Sequence, residues 1–167
     1  MTGGIACGKS LAAKYLSELG VPTLDADDIV HELIPDPVER KRIAKVVFSD
    51  VVARQELEAR LHPLVRGIIA AWMAEGEKAG DAIRVAIIPL LFEVGWEADY
   101  DEVWCLASLK GTQVKRMMGR RGYTQEEAEG RLAAQMDVEE KAKRSDRVIW
   151  NEGTVDELRA VIRKVVG

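Results

Sequence analysis

Met1 to Leu11 read MTGGIACGKSL, with Gly3, Gly8, Lys9 and Ser10 on the pattern G-x-x-x-x-G-K-[ST]. Loops of this spacing wrap a phosphate chain in backbone N–H groups, while the lysine reaches the terminal phosphates and the hydroxyl ligates Mg2+. Gly3, Gly4, Ile5, Ala6, Cys7, Gly8, Lys9, Ser10 and Leu11 therefore form a candidate nucleotide site, with Ser10 as the metal ligand. Residues 10–19 continue as a helix: Leu11, Tyr15, Leu16 and Leu19 recur at helical spacing, and Gly20 is positioned to stop it. The helix N-terminus adds partial positive charge where phosphates would lie. A glycine turn that binds nothing is the plain alternative, and the Lys9–Ser10 pair right after Gly8 argues against it. Such a loop normally hangs from a buried strand. Only Met1 and Thr2 stand before Gly3, so the strand is expected to be missing and the natural chain to carry a short apolar segment upstream. Without it, neighbouring strands would bury unpaired backbone groups at about 1–3 kcal/mol each.

The chain has 167 residues, 47% of them hydrophobic and 31% charged, which fits one soluble globular domain with one substantial core. Lysine and arginine number 24 against 28 acids, a net charge of -4, so no global basic field points to nucleic acid or an anionic membrane. The apolar run from Val85 to Phe92 is too short to span a bilayer, and no basic leader precedes an apolar stretch. A cytoplasmic protein is expected. Cys7 and Cys105 lack metal-ligand spacing and read as reduced thiols, and two histidines, His31 and His62, are too few for a histidine-rich metal site. Cys7 sits among loop N–H groups at a helix N-terminus, a setting expected to favour a reactive thiolate.

Four short runs read as buried strands: 21–24, 84–88, 102–106 and 147–150. Helical patterns lie between them, and this alternation implies an α/β protein with a parallel sheet flanked by helices. Asp36-Pro37-x-Glu39 starts one helix; Thr124-x-x-Glu127 and Thr154-x-x-Glu157 are capping boxes for two more. Val155, Leu158, Ile162, Val165 and Val166 line one face of the last helix, and Val65, Ile68, Ile69, Trp72 and Met73 form a stripe expected to be core. Ligands in such sheets bind beyond the carboxyl ends of the strands.

Asp25 and Asp27 follow the run 21–24 and flank one alanine, so on an extended stretch both carboxylates point the same way. Beside a nucleotide, such a pair can orient Mg2+ or take the proton of an attacking hydroxyl, and Asp27 is the candidate base. Asp28 reads as a helix cap. Further on, Lys115, Arg116, Arg120 and Arg121 form a basic run. Such runs are usually solvated helix faces, but Arg116 and Arg120, at i and i+4, can also clamp phosphates from a mobile lid.

Six stretches, TGGIACGKS, VPTLDADDIVHEL, LHPLVR, IIPLLFE, QVKRMMGRRGYTQEEAEGRLAAQ and DRVIWNEGT, resemble the dephospho-coenzyme A kinase family in its own order. The resemblance implies a three-layer P-loop kinase fold with a helical acceptor-side cap and a lid. It implies residues 1–30 and 81–167 as the nucleotide-binding core, with the lid at about 110–135, and 31–80 as the acceptor-side region. It also implies transfer of the ATP γ-phosphoryl group to the 3′-hydroxyl of dephospho-coenzyme A. By resemblance, Asp27 is the base, Asp25, His62, Arg66, Pro89, Leu90, Leu91 and Glu93 face the acceptor, and Asn151 and Gly153 meet adenine through their backbone. Gln135 follows the lid and helps close it. His62 as a packing histidine, Glu93 as a cap and Asn151–Gly153 as an ordinary turn are the plain alternatives. The resemblance further implies a small-molecule substrate, no nucleic acid or membrane partner, and a monomer or weak oligomer.

The chain departs from the family at Ile34–Pro35, where a helix with its loops is expected to be missing; this bears on acceptor specificity more than on nucleotide binding. Cys7 stands where the family commonly has a small hydroxyl residue. The competing readings are another P-loop small-molecule kinase and an ATP-binding protein without transferase activity.

Overall fold

The phosphate loop does hang from a strand. In the computed structural model Thr2–Gly3 form β1, which pairs in parallel with β4 (Trp104–Ala107), Thr2 opposite Cys105 and Gly3 opposite Leu106. On its other side Met1 O accepts the N–H of Ile88 at 2.9 Å. The expectation that no strand would form here is corrected: Met1, Thr2 and Gly3 find backbone partners on both neighbouring edges, and Met1 and Thr2 are buried. Every residue is described except for the side chains of Ala44, Lys45, Val47, Phe48, Ser49 and Arg121; that of Arg121, part of the basic run, lies outside the described residues.

The chain forms two compact units, Met1–Thr23 with Ile87–Gly167, and Leu24–Ala86. In the first, β4 lies between β1 and β5 (Arg147–Trp150), both parallel to it. Cys105, Leu106 and Ala107 are fully buried, as apolar strands covered on both faces must be. Helix α1 (Lys9–Glu18) packs on α8 (Val155–Val166), where Arg159 meets Glu18 at 2.6 Å and lies over the Tyr15 ring. Leu158 and Ile162 of α8 are buried, while Val155 stays half exposed. The capping boxes of Thr154 and Thr124 start α8 and α6 (Gln125–Ala133), and α5 (Lys110–Arg121) and α7 (Val138–Arg144) complete this unit.

The observed strands lie up to two residues from the expected runs. The first, β2 (Thr23–Asp25), pairs with β3 (Val85–Ile87). In the second unit, α2 (Ala26–Leu33) and α3 (Pro37–Ser49) pack on the 29-residue α4 (Val51–Ala79). Asp36 and Asp50 cap α3 and α4, and Gly80 at φ +78° ends α4. Of the expected core stripe, Val65 and Ile69 are buried but Ile68 is 40% exposed, since a helix covered on one side buries only part of its apolar face. The turn between α2 and α3 is stitched by Arg40, whose Nη1 donates to the carbonyls of Ile34 at 2.6 Å and Pro35 at 2.9 Å.

Candidate active site

The loop between β1 and α1 turns through three residues of positive φ: Gly3 (+146°), Ala6 (+59°) and Gly8 (+99°). A Cβ on Gly3 would strike the Leu106 carbonyl, and one on Gly8 the Asn151 amide, so both glycines are required by close approach as well as by conformation. Ala6 holds its strained angle because its neighbours are tied down.

Successive carbonyls of the loop are held by side chains. Lys9 Nζ donates to Gly3 O at 2.9 Å and Gly4 O at 3.0 Å. Gln113 Nε2 donates to Ile5 O at 2.7 Å, Arg116 Nη1 to Ala6 O at 3.2 Å, and Asn151 Nδ2 to Cys7 O at 3.0 Å. With the carbonyls of residues 3–7 occupied, the loop cannot present them to an anion. Among the described residues, the N–H groups of Ala6 and Gly8 have no protein acceptor. The result is a concave set of donors at the N-terminus of α1, a site built for phosphate oxygens.

Two of these braces come from α5, which is itself anchored at its start. Glu152 accepts from Leu109 N at 2.7 Å and from Thr112 Oγ1 at 2.6 Å. Slight burial pushes its carboxyl up, but these hydrogen bonds, with Arg116 nearby, outweigh it and hold the group below the usual carboxylate range. Arg116 also donates to Ser108 Oγ at 2.9 Å and Asn151 O at 2.7 Å. In this structure its guanidinium thus serves the loop and the end of β5, while Arg120, one turn on, is exposed. Asn151 is likewise more than an ordinary turn residue: it is buried and bonds both Cys7 and Arg116. A Cβ on Gly153 would meet the Glu157 carboxylate.

Gln113 escaped the sequence analysis as a site residue, because one polar residue in QVKRMMGRR is indistinguishable from a solvated helix face until its burial is known. Gln113→Met should raise the KM for ATP about tenfold (about 1.4 kcal/mol) with a smaller effect on kcat, since it frees Ile5 O without touching the reacting groups. Steady-state kinetics with varied ATP check this.

Cys7 corrects another expectation. Its side chain is fully buried, with Sγ donating to Ile5 O at 3.7 Å. Burial pushes the thiol up, against the opposing influence of Lys9 and the Ser108 bonds, so the thiolate form is disfavoured. Cys7 is therefore expected to resist iodoacetamide in the native protein and to label on unfolding, with or without ATP; peptide mass spectrometry reads the difference.

The acid residues also depart from expectation. Asp25 ends β2 and caps α2, its Oδ1 accepting the N–H of Asp27 at 2.9 Å. Asp27 lies in the first turn of α2 and is exposed, so the pair does not share an extended stretch, and Asp28 is a first-turn residue, not the cap. Still in the second unit, His62 is half-buried within α4, next to Pro63, and Arg66 is exposed one turn on. In the first unit, Pro89 to Glu93 follow β3 as a turn; Leu91 is buried and Leu90 is 36% exposed. The Glu93 carboxylate is engaged by Lys141 Nζ at 2.7 Å and by Met136 N at 3.1 Å.

A family model described as dephospho-CoA kinase matches residues 1–37 and 35–157. The chain belongs to the dephospho-CoA kinase family. It is accordingly an ATP-dependent kinase enzyme of the P-loop kinase fold. The dephospho-CoA kinase of Geobacter sulfurreducens is 38% identical over 186 aligned positions, covering 99% of this chain and 94% of that one. Among solved structures, TT1252 of Thermus thermophilus matches with a TM-score of 0.75 and 33% identity, covering 99% of this chain and 93% of the other. The dephospho-CoA kinase of Campylobacter jejuni matches with a TM-score of 0.74 and 30% identity, covering 99% and 92%. The two pieces of the family match meet at residues 35–37, and the 186 aligned positions exceed the 167 residues of this kinase. The relative therefore carries residues that this chain skips, consistent with the shortened turn between α2 and α3.

Proposed function

We propose that this kinase phosphorylates the 3′-hydroxyl of dephospho-coenzyme A, with separate residue sets handling donor and acceptor. The observation that carries the donor half is the loop whose carbonyls from Gly3 to Cys7 are all held by side chains. Its N–H groups take the β- and γ-phosphates of ATP, and Lys9 exchanges its carbonyl partners for phosphate oxygens as charge builds on the transferring group. Among the described residues no group of three or more acidic, histidine or cysteine side chains forms a metal cage. The exposed Ser10 hydroxyl, at the start of α1, is the hard oxygen donor a nucleotide-bound Mg2+ requires. That ion supplies charge neutralisation between the β- and γ-phosphates.

On the acceptor side, Asp27 takes the proton from the ribose hydroxyl, with Asp25 holding the first turn of α2 in place. His62, Arg66 and the turn Pro89–Leu91 line the acceptor, Asn151 and Gly153 meet adenine through their backbone, and Arg116 and Arg120 act on the phosphates when the lid, residues 110–135 with Gln135 at its exit, closes. This reading entails a cytoplasmic enzyme that works on a small molecule as a monomer or weak oligomer, with no nucleic-acid partner. Among the described residues no helix is long and apolar enough to cross a membrane. The test is direct: ATP, Mg2+ and dephospho-coenzyme A are incubated with the protein and coenzyme A is measured by mass spectrometry, with nucleoside monophosphates and sugar acids as rival acceptors. Turnover of a rival with none of dephospho-coenzyme A overturns the reading.

A further inference from the structure

Among the described residues Lys141 is the one lysine or arginine that is buried, with no side-chain exposure at all. Burying an ammonium is expensive, and an apolar residue of similar volume would commonly serve stability as well or better. Its place must therefore be explained by what it holds. Nζ donates to Pro89 O at 2.6 Å and meets Glu93 Oε1 at 2.7 Å. Pro89 opens the turn that follows β3, and Glu93 lies within it. Pro89 O also accepts from Thr2 Oγ1 at 3.2 Å, which ties the same point to β1. Glu93 in turn accepts the N–H of Met136, the second residue beyond Ala134, where α6 is capped. One buried cation thus joins the turn after β3, the strand under the phosphate loop and the strap leaving the lid.

We propose that Lys141 is a positioning residue, which locks the Pro89–Glu93 turn and the exit of the lid into one body so that the acceptor meets a preformed surface. This rests on the reading that the turn faces the acceptor. Lys141 touches no reacting atom; it acts through Pro89 and Glu93. A packing role predicts loss of stability alone, whereas a positioning role predicts a kinetic signature that survives when stability is restored.

The experiment compares wild type with Lys141→Met, Glu93→Gln, the double variant and Lys141→Arg, reading Tm, kcat and the KM values for ATP and dephospho-coenzyme A. Lys141→Met leaves the Glu93 carboxylate without its cation, and Tm should fall. The double variant removes both charges, and Tm should recover. In both, the KM for the acceptor should rise about tenfold or more and kcat should fall, while the KM for ATP stays within about twofold. Lys141→Arg keeps the cation and should lie between these and wild type. A double variant with restored Tm and wild-type acceptor KM and kcat overturns the proposal. Should neither Met-bearing variant fold, Glu93→Gln decides: it keeps an acceptor for Met136 and loses only the charge pair, and an unchanged acceptor KM and kcat there overturns the proposal as well. A wild-type protein inactive on dephospho-coenzyme A refutes the functional reading instead, so the two failures are distinct.

Discussion

Lys9→Ala is expected to lower kcat by roughly two to three orders of magnitude (about 2.7–4 kcal/mol). The ammonium rests on Gly3 O and Gly4 O at 2.9 and 3.0 Å, so it is already positioned at the mouth of the loop. To reach a phosphate it leaves these neutral carbonyls, and it gains an interaction that strengthens as negative charge moves toward the leaving oxygens. That difference between ground and transition state is the only part of binding that accelerates the step. Arginine should not replace it, because its longer planar head cannot occupy the same two-carbonyl seat. Single-turnover measurements at saturating ATP give the effect on chemistry alone. Near-normal turnover in Lys9→Ala would remove the loop from the reaction.

Asp27→Asn should lower kcat by roughly two to four orders of magnitude and leave the KM for ATP nearly unchanged, because the amide cannot accept the proton of the attacking hydroxyl. The local structure makes Asp25→Asn an unusually clean companion. Asp25 caps α2, and asparagine is as good a cap as aspartate, so the helix survives the substitution and any kinetic loss reports on the charge. The expectation is that Asp25→Asn costs less than Asp27→Asn in kcat with equal Tm. The reverse order would exchange the roles of the two residues.

Features set by neighbours in sequence were legible in advance. The phosphate loop, the capping boxes at Thr124 and Thr154, the Asp36–Pro37 start and the Gly20 stop all depend on a few adjacent residues, and all appear where expected. The Asp25–Asp27 pair was misread because the chain changes from strand to helix between them, and a period of two no longer orders the side chains. Lys141 sits in VEEKAKR, which has the composition of a solvated face; only its i, i+3 spacing from Val138 hints at burial, and its partners lie about fifty residues upstream. The strand before the loop was dismissed for its shortness, yet Met1 and Thr2 are held by Ile88 and β4, contacts that no local pattern announces.

Those same contacts set an order of events during synthesis. Thr2 pairs opposite Cys105, Cys105 opposite Val148, and the loop after β1 is braced by Gln113, Arg116 and Asn151. Leu24–Ala86 is continuous in sequence, so it can collapse while the ribosome is still making the rest. The N-terminal segment has no such option: Pro89 lies 87 residues beyond Thr2, and Cys105, Gln113, Arg116 and Asn151 emerge later still, so at roughly 5–20 residues per second the nascent loop waits several seconds or longer before it can close. The bracing of the loop is therefore assembled late and in stages, and its last member arrives only when β5 and Asn151 leave the exit tunnel.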